Sequence, residues 1–291
     1  MTNQLKPAHP VVDELLERSI RDIDIPPRPQ IIDRIRHEMH RDEPDMFMVG
    51  RLISRDVSLA AGLIKTANSP YFGFSLRVRS VNEALMMLGL DAASRAIAAI
   101  SLHKAFPNSA HYERFWHTSA EIAALSGWLA QHLAVPCVRA DDAYTFGLFR
   151  DCGIVILLRR FGTYRDILMR ANRDGERLFT AHELDALPTH HAVVGSLLAQ
   201  NWWLPEIISQ AIRSHHDPEM LDRFDSGLPL ASRRLIAIAQ TAERLVQTAT
   251  GGSQTREWDK LGPSCLRLLD LDDETLAGLV EPAAELIKRI D

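Results

Sequence analysis

Residues 80–91 read Ser80-Val81-Asn82-Glu83-Ala84-Leu85-Met86-Met87-Leu88-Gly89-Leu90-Asp91, a stretch with a helix start and a helix stop in it. Val81, Ala84, Leu85 and Leu88 fall at i, i+3, i+4 and i+7, which lays four apolar side chains along one helical face. Ser80 and Glu83 form a capping box, in which the serine bonds a free N–H of the first turn and the glutamate reaches back. Gly89 is expected to end that helix. Asp91 is expected to cap the next, which runs through Arg95 to about Lys104. The same 3.6-residue period recurs along most of the chain. Strand-like runs such as 135–138 are too short to carry a sheet. The expected fold class is all-α, a multi-helix bundle.

Toward the N-terminus, a lead-in over residues 1–22 precedes Pro26, Pro27 and Pro29, which punctuate the chain. Amphipathic segments follow, marked by Ile31, Ile32 and Ile35 and then by Phe47, Leu52 and Ile53. With 80–104 they make an N-terminal helical lobe over about 23–108. Within it, Ala67-Asn68-Ser69-Pro70-Tyr71-Phe72-Gly73 breaks the helical pattern. Asn68 and Ser69 are expected to satisfy backbone groups of this turn, and the two aromatics to fold back on the core.

After Pro107-Asn108-Ser109 a second lobe is expected over about 109–222, with Ile122, Leu125, Leu129 and Leu133 in one stripe. Helices are expected at 141–149, 163–171, 191–202 and 205–215, the last with Pro205 in its first turn. A C-terminal helical extension, 223–291, should hold a helix over 230–245, a loop at Gly251-Gly252-Ser253-Gln254, and a helix near 276–290 that Pro282 kinks or restarts. Trp116, Trp202 and Trp203 are expected in the core.

Composition narrows the function. The 291 residues carry a net charge of -5 with a pI of about 6.2, which argues against general attraction for nucleic acid or an anionic membrane. Cys137, Cys152 and Cys265 form no CxxC pair, so neither a disulfide framework nor a cysteine zinc site is expected. The first ten residues lack the charged start and apolar run of a signal peptide. The longest apolar stretch, 84–102, is interrupted by Asp91 and Arg95. The expected location is the cytoplasm, with no membrane insertion.

Of twelve histidines, His9, His37, His40, His103, His111, His132, His182 and His190 stand among polar neighbours or on expected helix surfaces. His117, Asp151, His191, His215 and His216 differ, because they fall on or at the ends of separate expected helices of one lobe. A bundle can turn such residues toward one centre. Imidazole nitrogens and a carboxylate suit a borderline divalent metal that acidifies water for attack on a phosphoester. The plainer alternative is that His215 and His216 end a helix, where the carbonyl dipole favours imidazolium, and that His191 sits in a turn after Pro188. Spacing alone leaves both open.

Taken together, these motifs resemble the HDOD family, the HD-related output domains of bacterial signalling proteins, over roughly 23–218. The resemblance rests on Pro26 to Pro29, on Leu63-Ile64-Lys65-Thr66-Ala67-Asn68-Ser69 with Phe72-Gly73, and on Ser80-Val81 and Ala84 leading to Leu88-Gly89. It continues with Phe115-Trp116-His117 and Ser119, Gly147-Leu148-Phe149-Arg150-Asp151-Cys152-Gly153, His191 with Val194-Gly195, Trp203-Leu204-Pro205, and His215-His216 with Pro218. It implies a structural role for Asn68, Ser69, Gly73 and Gly89.

The family is similar to HD-type metal phosphohydrolases, including HD-GYP phosphodiesterases of cyclic di-GMP, whose metals are held by histidines and a His-Asp doublet. Here the doublet reads Arg150-Asp151, and no GYP triplet occurs. Arginine has no lone pair to donate and stays protonated, so it is a lost ligand and a cation in one. The resemblance therefore implies a residual HD-like pocket of His117, Arg150, Asp151, His191, His215 and His216, with no metal, cofactor or catalysis expected. Arg150 itself is either a solvated residue at a helix end or a buried one that pairs with Asp151 or another acid in place of a metal bridge.

The implied function is signalling output by protein–protein interaction. With no stretch left for a receiver or cyclase domain, the partners are expected to be separate, unidentified bacterial signalling or regulatory proteins. The rival readings are a metal-dependent phosphohydrolase of a nucleotide or cyclic dinucleotide, and a sensor that holds a nucleotide near Arg150, His191 and His215.

Overall fold

A computed structural model describes residues 23–74, 76–106, 110–223 and 225–290. The expected lead-in over 1–22, the lobe boundary at Pro107-Asn108-Ser109 and the side chain of His111 lie outside the described residues. Among those described there is no strand, and the all-α expectation holds. The first lobe contains α1 (Gln30–Met39), α2 (Met46–Ser54), α3 (Val57–Ala67) and α4 (Val81–Lys104). The second contains α5 (Ala110–His132), α6 (Ala140–Phe149), α7 (Cys152–Arg160), α8 (Tyr164–Arg173), α9 (Phe179–Leu184), α10 (His191–Asn201), α11 (Glu206–Ser214) and α12 (Pro218–Asp222). The extension adds α13 (Leu230–Thr250), α14 (Glu257–Leu269), α15 (Asp273–Gly278) and α16 (Val280–Ile287).

The capping box forms at the start of α4: Ser80 Oγ accepts from Glu83 N at 3.1 Å, and the Glu83 carboxylate accepts from Arg79 N at 2.7 Å. Gly89 breaks the helix at φ 74°, a left-handed conformation that glycine adopts without steric cost. Asp91 does not cap the second half. Its carboxylate pairs at 2.6 Å with Arg95, whose other nitrogen reaches Asp142 on α6 at 2.5 Å. By length and composition α4 is the one described helix apolar enough to cross a membrane. Its polar centre, Arg95, is paired inside the protein across the two lobes.

The turn after α3 is organised by Asn68. Its Nδ2 donates to Ile64 O at 2.9 Å and Val78 O at 2.8 Å, while Oδ1 accepts from Val78 N at 2.9 Å. Asn68→Ala is expected to cost about 2–3 kcal/mol in urea unfolding, since it removes three bonds and strands both Val78 groups. A loss under about 0.5 kcal/mol would mean that water replaces them. Ser69 departs from expectation. Its buried hydroxyl has no hydrogen-bond partner among the described residues; Ser69 serves the turn through its backbone instead, its N–H donating to Thr66 O at 3.0 Å and its carbonyl accepting from Phe72 N at 3.1 Å. Gly73 takes φ 58°. Tyr71 folds back as expected, stacked on Tyr144 at 4.6 Å with its hydroxyl donating to Asp141 at 3.0 Å.

Trp202 is buried and donates to Pro26 O at 3.0 Å, tying the proline-marked entry to the end of α10. Trp203 corrects the core expectation. At φ 62° it turns outward where α10 ends, 48% exposed, with the guanidinium of Arg36 3.9 Å from its ring centre. Trp116 is half-buried, edge-on to Phe115 at 4.9 Å. Pro205 stands just before α11 rather than in its first turn, with its carbonyl accepting from Ile208 and Ser209.

In the extension, α13 runs about one turn beyond the expected end and stops at Gly251, φ 67°. Helix α14 was not among the expected helices, and it accommodates Pro263 inside it. Pro282 marks a restart: the chain breaks at Leu279, and the proline falls in the first turn of α16, where its missing N–H is harmless. Helix α13 packs against α5, α6 and α11, so the extension forms a wall of the second lobe.

Candidate functional site

Four helix ends meet inside the second lobe. Asp151 sits at the corner between α6 and α7, His191 opens α10, and His215 and His216 close α11. The approach is close because α7 and α10 cross at two glycines. A β-carbon on Gly153 would stand 2.0 Å from His191 O, and one on Gly195 3.1 Å from Cys152 Sγ. Three imidazoles and a carboxylate thereby converge. His191 Nε2 lies 3.0 Å from His216 Nε2 and 3.4 Å from His215 Nε2, and Asp151 Oδ1 lies 3.1 Å from His215 Nε2 and 3.7 Å from His191 Nε2.

Every outward ring nitrogen is occupied. His191 Nδ1 donates to Glu183 Oε2 at 2.8 Å, His215 Nδ1 to Ile212 O at 2.7 Å, and His216 Nδ1 to Glu257 Oε2 at 2.6 Å. These acceptors select the tautomer with the Nε2 lone pair turned inward, the arrangement that fixes metal-ligating histidines. Glu183 is itself held by the Tyr164 hydroxyl and by His191 N at 3.1 Å.

Burial opposes charge on Asp151, but the Arg150 guanidinium beside it outweighs that and holds the carboxyl well below its usual range. Burial pushes His216 well below an ordinary imidazole, with His215 and His191 adding to the effect. His191 is raised instead, because the Glu183 carboxylate outweighs its desolvation. Burial raises Glu257 against the pull of Lys260.

Arg150 corrects the solvated reading. It is 5% exposed, with Nε 3.1 Å from Asp151 Oδ2 and Nη2 2.9 Å from Glu243 Oε1 on α13. Desolvation opposes its charge, yet Glu243 and Asp151 raise its pKa. The guanidinium thus engages the outer oxygen of Asp151, and the inner oxygen faces the histidines. His117 is a second correction: it stays outside the centre, 53% exposed and 3.6 Å from Glu121. The register that buries Ile122, Leu125 and Leu129 carries His117 to the flank of α5.

The donor set fits one divalent ion. The four inward atoms lie within 4.8 Å of one another. Ligands of a tetrahedral ion with bonds of about 2.0–2.1 Å stand roughly 3.3 Å apart, close to the 3.0 and 3.4 Å that His191 Nε2 keeps from the other two imidazoles. Charge agrees in sign: Asp151, Glu183, Glu243 and Glu257 stand around Arg150 and Lys260, an acidic excess that favours a cation at the centre. Sequence reading missed Glu183, Glu243, Glu257 and Lys260. Three of these left a signal, an acid inside an apolar stripe: Phe179, Glu183 and Leu187; Ile236, Ala239, Glu243 and Val246; Glu257, Leu261 and Cys265.

Fold and site together define an all-α protein with a buried histidine–aspartate centre. The chain belongs to the HDOD domain family, whose model matches residues 25–218. An uncharacterized Treponema pallidum protein is 27% identical over 198 residues, 67% of this chain and 38% of the relative; Bacillus subtilis YuxH is 28% identical over 107 residues, 37% of this chain and 25% of that protein. The matched stretch thus spans well under half of each relative. Among solved structures, an HDOD domain protein of unknown function from Geobacter sulfurreducens superposes with a TM-score of 0.67 at 22% identity, covering 96% of both chains. A Shewanella amazonensis protein provisionally named a phosphohydrolase gives 0.64 at 19% identity, covering 94% of this chain and 97% of its own. At such identities the likeness is one of fold.

Proposed function

We propose that this chain is a non-catalytic output protein of bacterial signalling, which works in the cytoplasm through contacts with separate regulatory proteins, and that its centre holds one divalent ion as a closed structural site. The observation that carries this reading is the donor count. Three imidazoles and one carboxylate fill a tetrahedral ion, whereas a hydrolytic site keeps a coordination position open for water. Burial adds to it, since His191, His215 and His216 are almost entirely enclosed. Arg150 no longer argues against an ion, because it pairs with the outer oxygen of Asp151 and stands outside the donor set.

Purified protein supplied with zinc or manganese is expected to retain one ion per chain and to hydrolyse neither cyclic di-GMP nor a generic phosphodiester above background. Hydrolysis that disappears in Asp151→Asn would overturn the non-catalytic part. Affinity capture from the native bacterium is expected to return regulatory proteins, and a set without any counts against the reading. The metal-dependent phosphohydrolase remains the second reading. Its support is the Asp151 side chain, 22% exposed and the one donor of the four open to solvent. A divalent ion bound there would supply Lewis acidity and an acidified water if a coordination position opened.

A further inference from the structure

Residues 223–291 lie beyond the family match, yet two of their helices reach the centre. Glu257, at the start of α14, is 2% exposed, and its Oε2 is the acceptor for His216 Nδ1 at 2.6 Å. The carboxylate is held from behind: Lys260, one turn on and also enclosed, pairs with Oε1 and donates to Arg177 O at 3.0 Å. Arg256 N donates to Asn172 O at 3.1 Å, so the start of α14 is tied to the end of α8. On its other face the His216 ring stacks on Phe179, with centroids 4.6 Å apart and planes at 16°.

Glu257 is what sets the histidine's orientation. Phe179 fixes the plane of the ring but not which edge points inward, because stacking is indifferent to rotation within that plane. A fixed carboxylate on Nδ1 does decide it. With Nδ1–H engaged, the proton cannot sit on Nε2, and the Nε2 lone pair is left for the centre.

We infer that the C-terminal extension completes the ion site, with Glu257 as a positioning residue that aims His216 Nε2 and Lys260 as its brace. The inference rests on the one-ion reading above. It makes the extension part of the binding machinery: an ion held by His216 is linked through Glu257 to α14, so occupancy and docking of the extension reinforce each other.

The test uses the full chain, stripped of metal by a chelator and titrated with zinc against a fluorescent competitor, with cobalt(II) absorption as a second readout. Glu257→Gln is expected to bind zinc about 10–100-fold more weakly and to shift the visible cobalt bands. Glu257→Asp, whose acceptor retracts by one methylene, is expected to fall between the two and serves alone if the glutamine variant does not fold. A merely structural glutamate would lower the melting temperature and leave zinc affinity and the cobalt bands unchanged; that outcome overturns the inference and leaves the one-ion reading standing. A wild-type protein that takes up neither zinc nor cobalt overturns that reading, and the inference with it.

Discussion

Glu243→Ala is expected to destabilise the protein by about 3–5 kcal/mol in urea unfolding, the cost of leaving a buried charge without its partner. Glu243 and Arg150 are 4% and 5% exposed, and their contact at 2.9 Å is the strongest compensation the guanidinium has. Asp151 cannot take over, because its inner oxygen is committed to the histidines and its outer one already lies 3.1 Å from Arg150 Nε. The double variant Arg150→Met with Glu243→Leu is expected to recover only part of the loss, since it removes the need to desolvate both charges but leaves the Asp151 carboxylate without its cation. A single variant that loses less than about 1 kcal/mol would mean that water reaches the guanidinium and that the pair behaves as a surface ion pair.

Gly153→Ala is expected to cost about 3 kcal/mol or more, at the upper end for overpacking, because the obstacle is backbone. The new β-carbon would stand 2.0 Å from His191 O, 2.8 Å from His191 C and 2.9 Å from Gly195 N. No rotamer change relieves this, so α7 and α10 must separate, moving Asp151 and His191 apart. Zinc affinity should therefore fall together with the denaturation midpoint. Gly162→Ala is the control, with nothing within 4 Å of its β-carbon, and is expected to change neither. Equal behaviour of the two variants would show that the crossing yields more easily than its geometry indicates.

Much of the fold was legible in the sequence because helices declare themselves locally. The capping box at Ser80, the break at Gly89 and the restart at Pro282 are each decided within a few residues. Helix α14 was not read at all, although Leu261, Cys265 and Leu269 fall in an apolar stripe at helical spacing around Pro263. Trp203 was misjudged. A large aromatic reads as core, but the left-handed residue that ends α10 points it outward, and two arginines cover it.

The centre was legible only in part. Asp151, His191, His215 and His216 carried enough chemical character to be picked out, and they do converge. His117 has the same character, but the register of α5 turns it to the flank. The second layer left only the trace of an acid inside an apolar stripe; which group Glu183, Glu243 and Glu257 each serve is decided by what the tertiary fold sets against them. Arg150 was noticed as a substitution, but its partner lies 93 positions away along the chain, at Glu243.

The Glu243 and Glu257 contacts also bear on where this protein can be divided. The family match ends at 218, but a fragment ending near there would expose a guanidinium and an imidazole that the intact chain has already furnished with counterparts. Common ancestry and self-sufficiency draw different borders on this molecule. For any transplant or domain fusion, the smallest portable module reaches past residue 257, because an electrostatic seam stitched through the interior is indifferent to where sequence similarity fades.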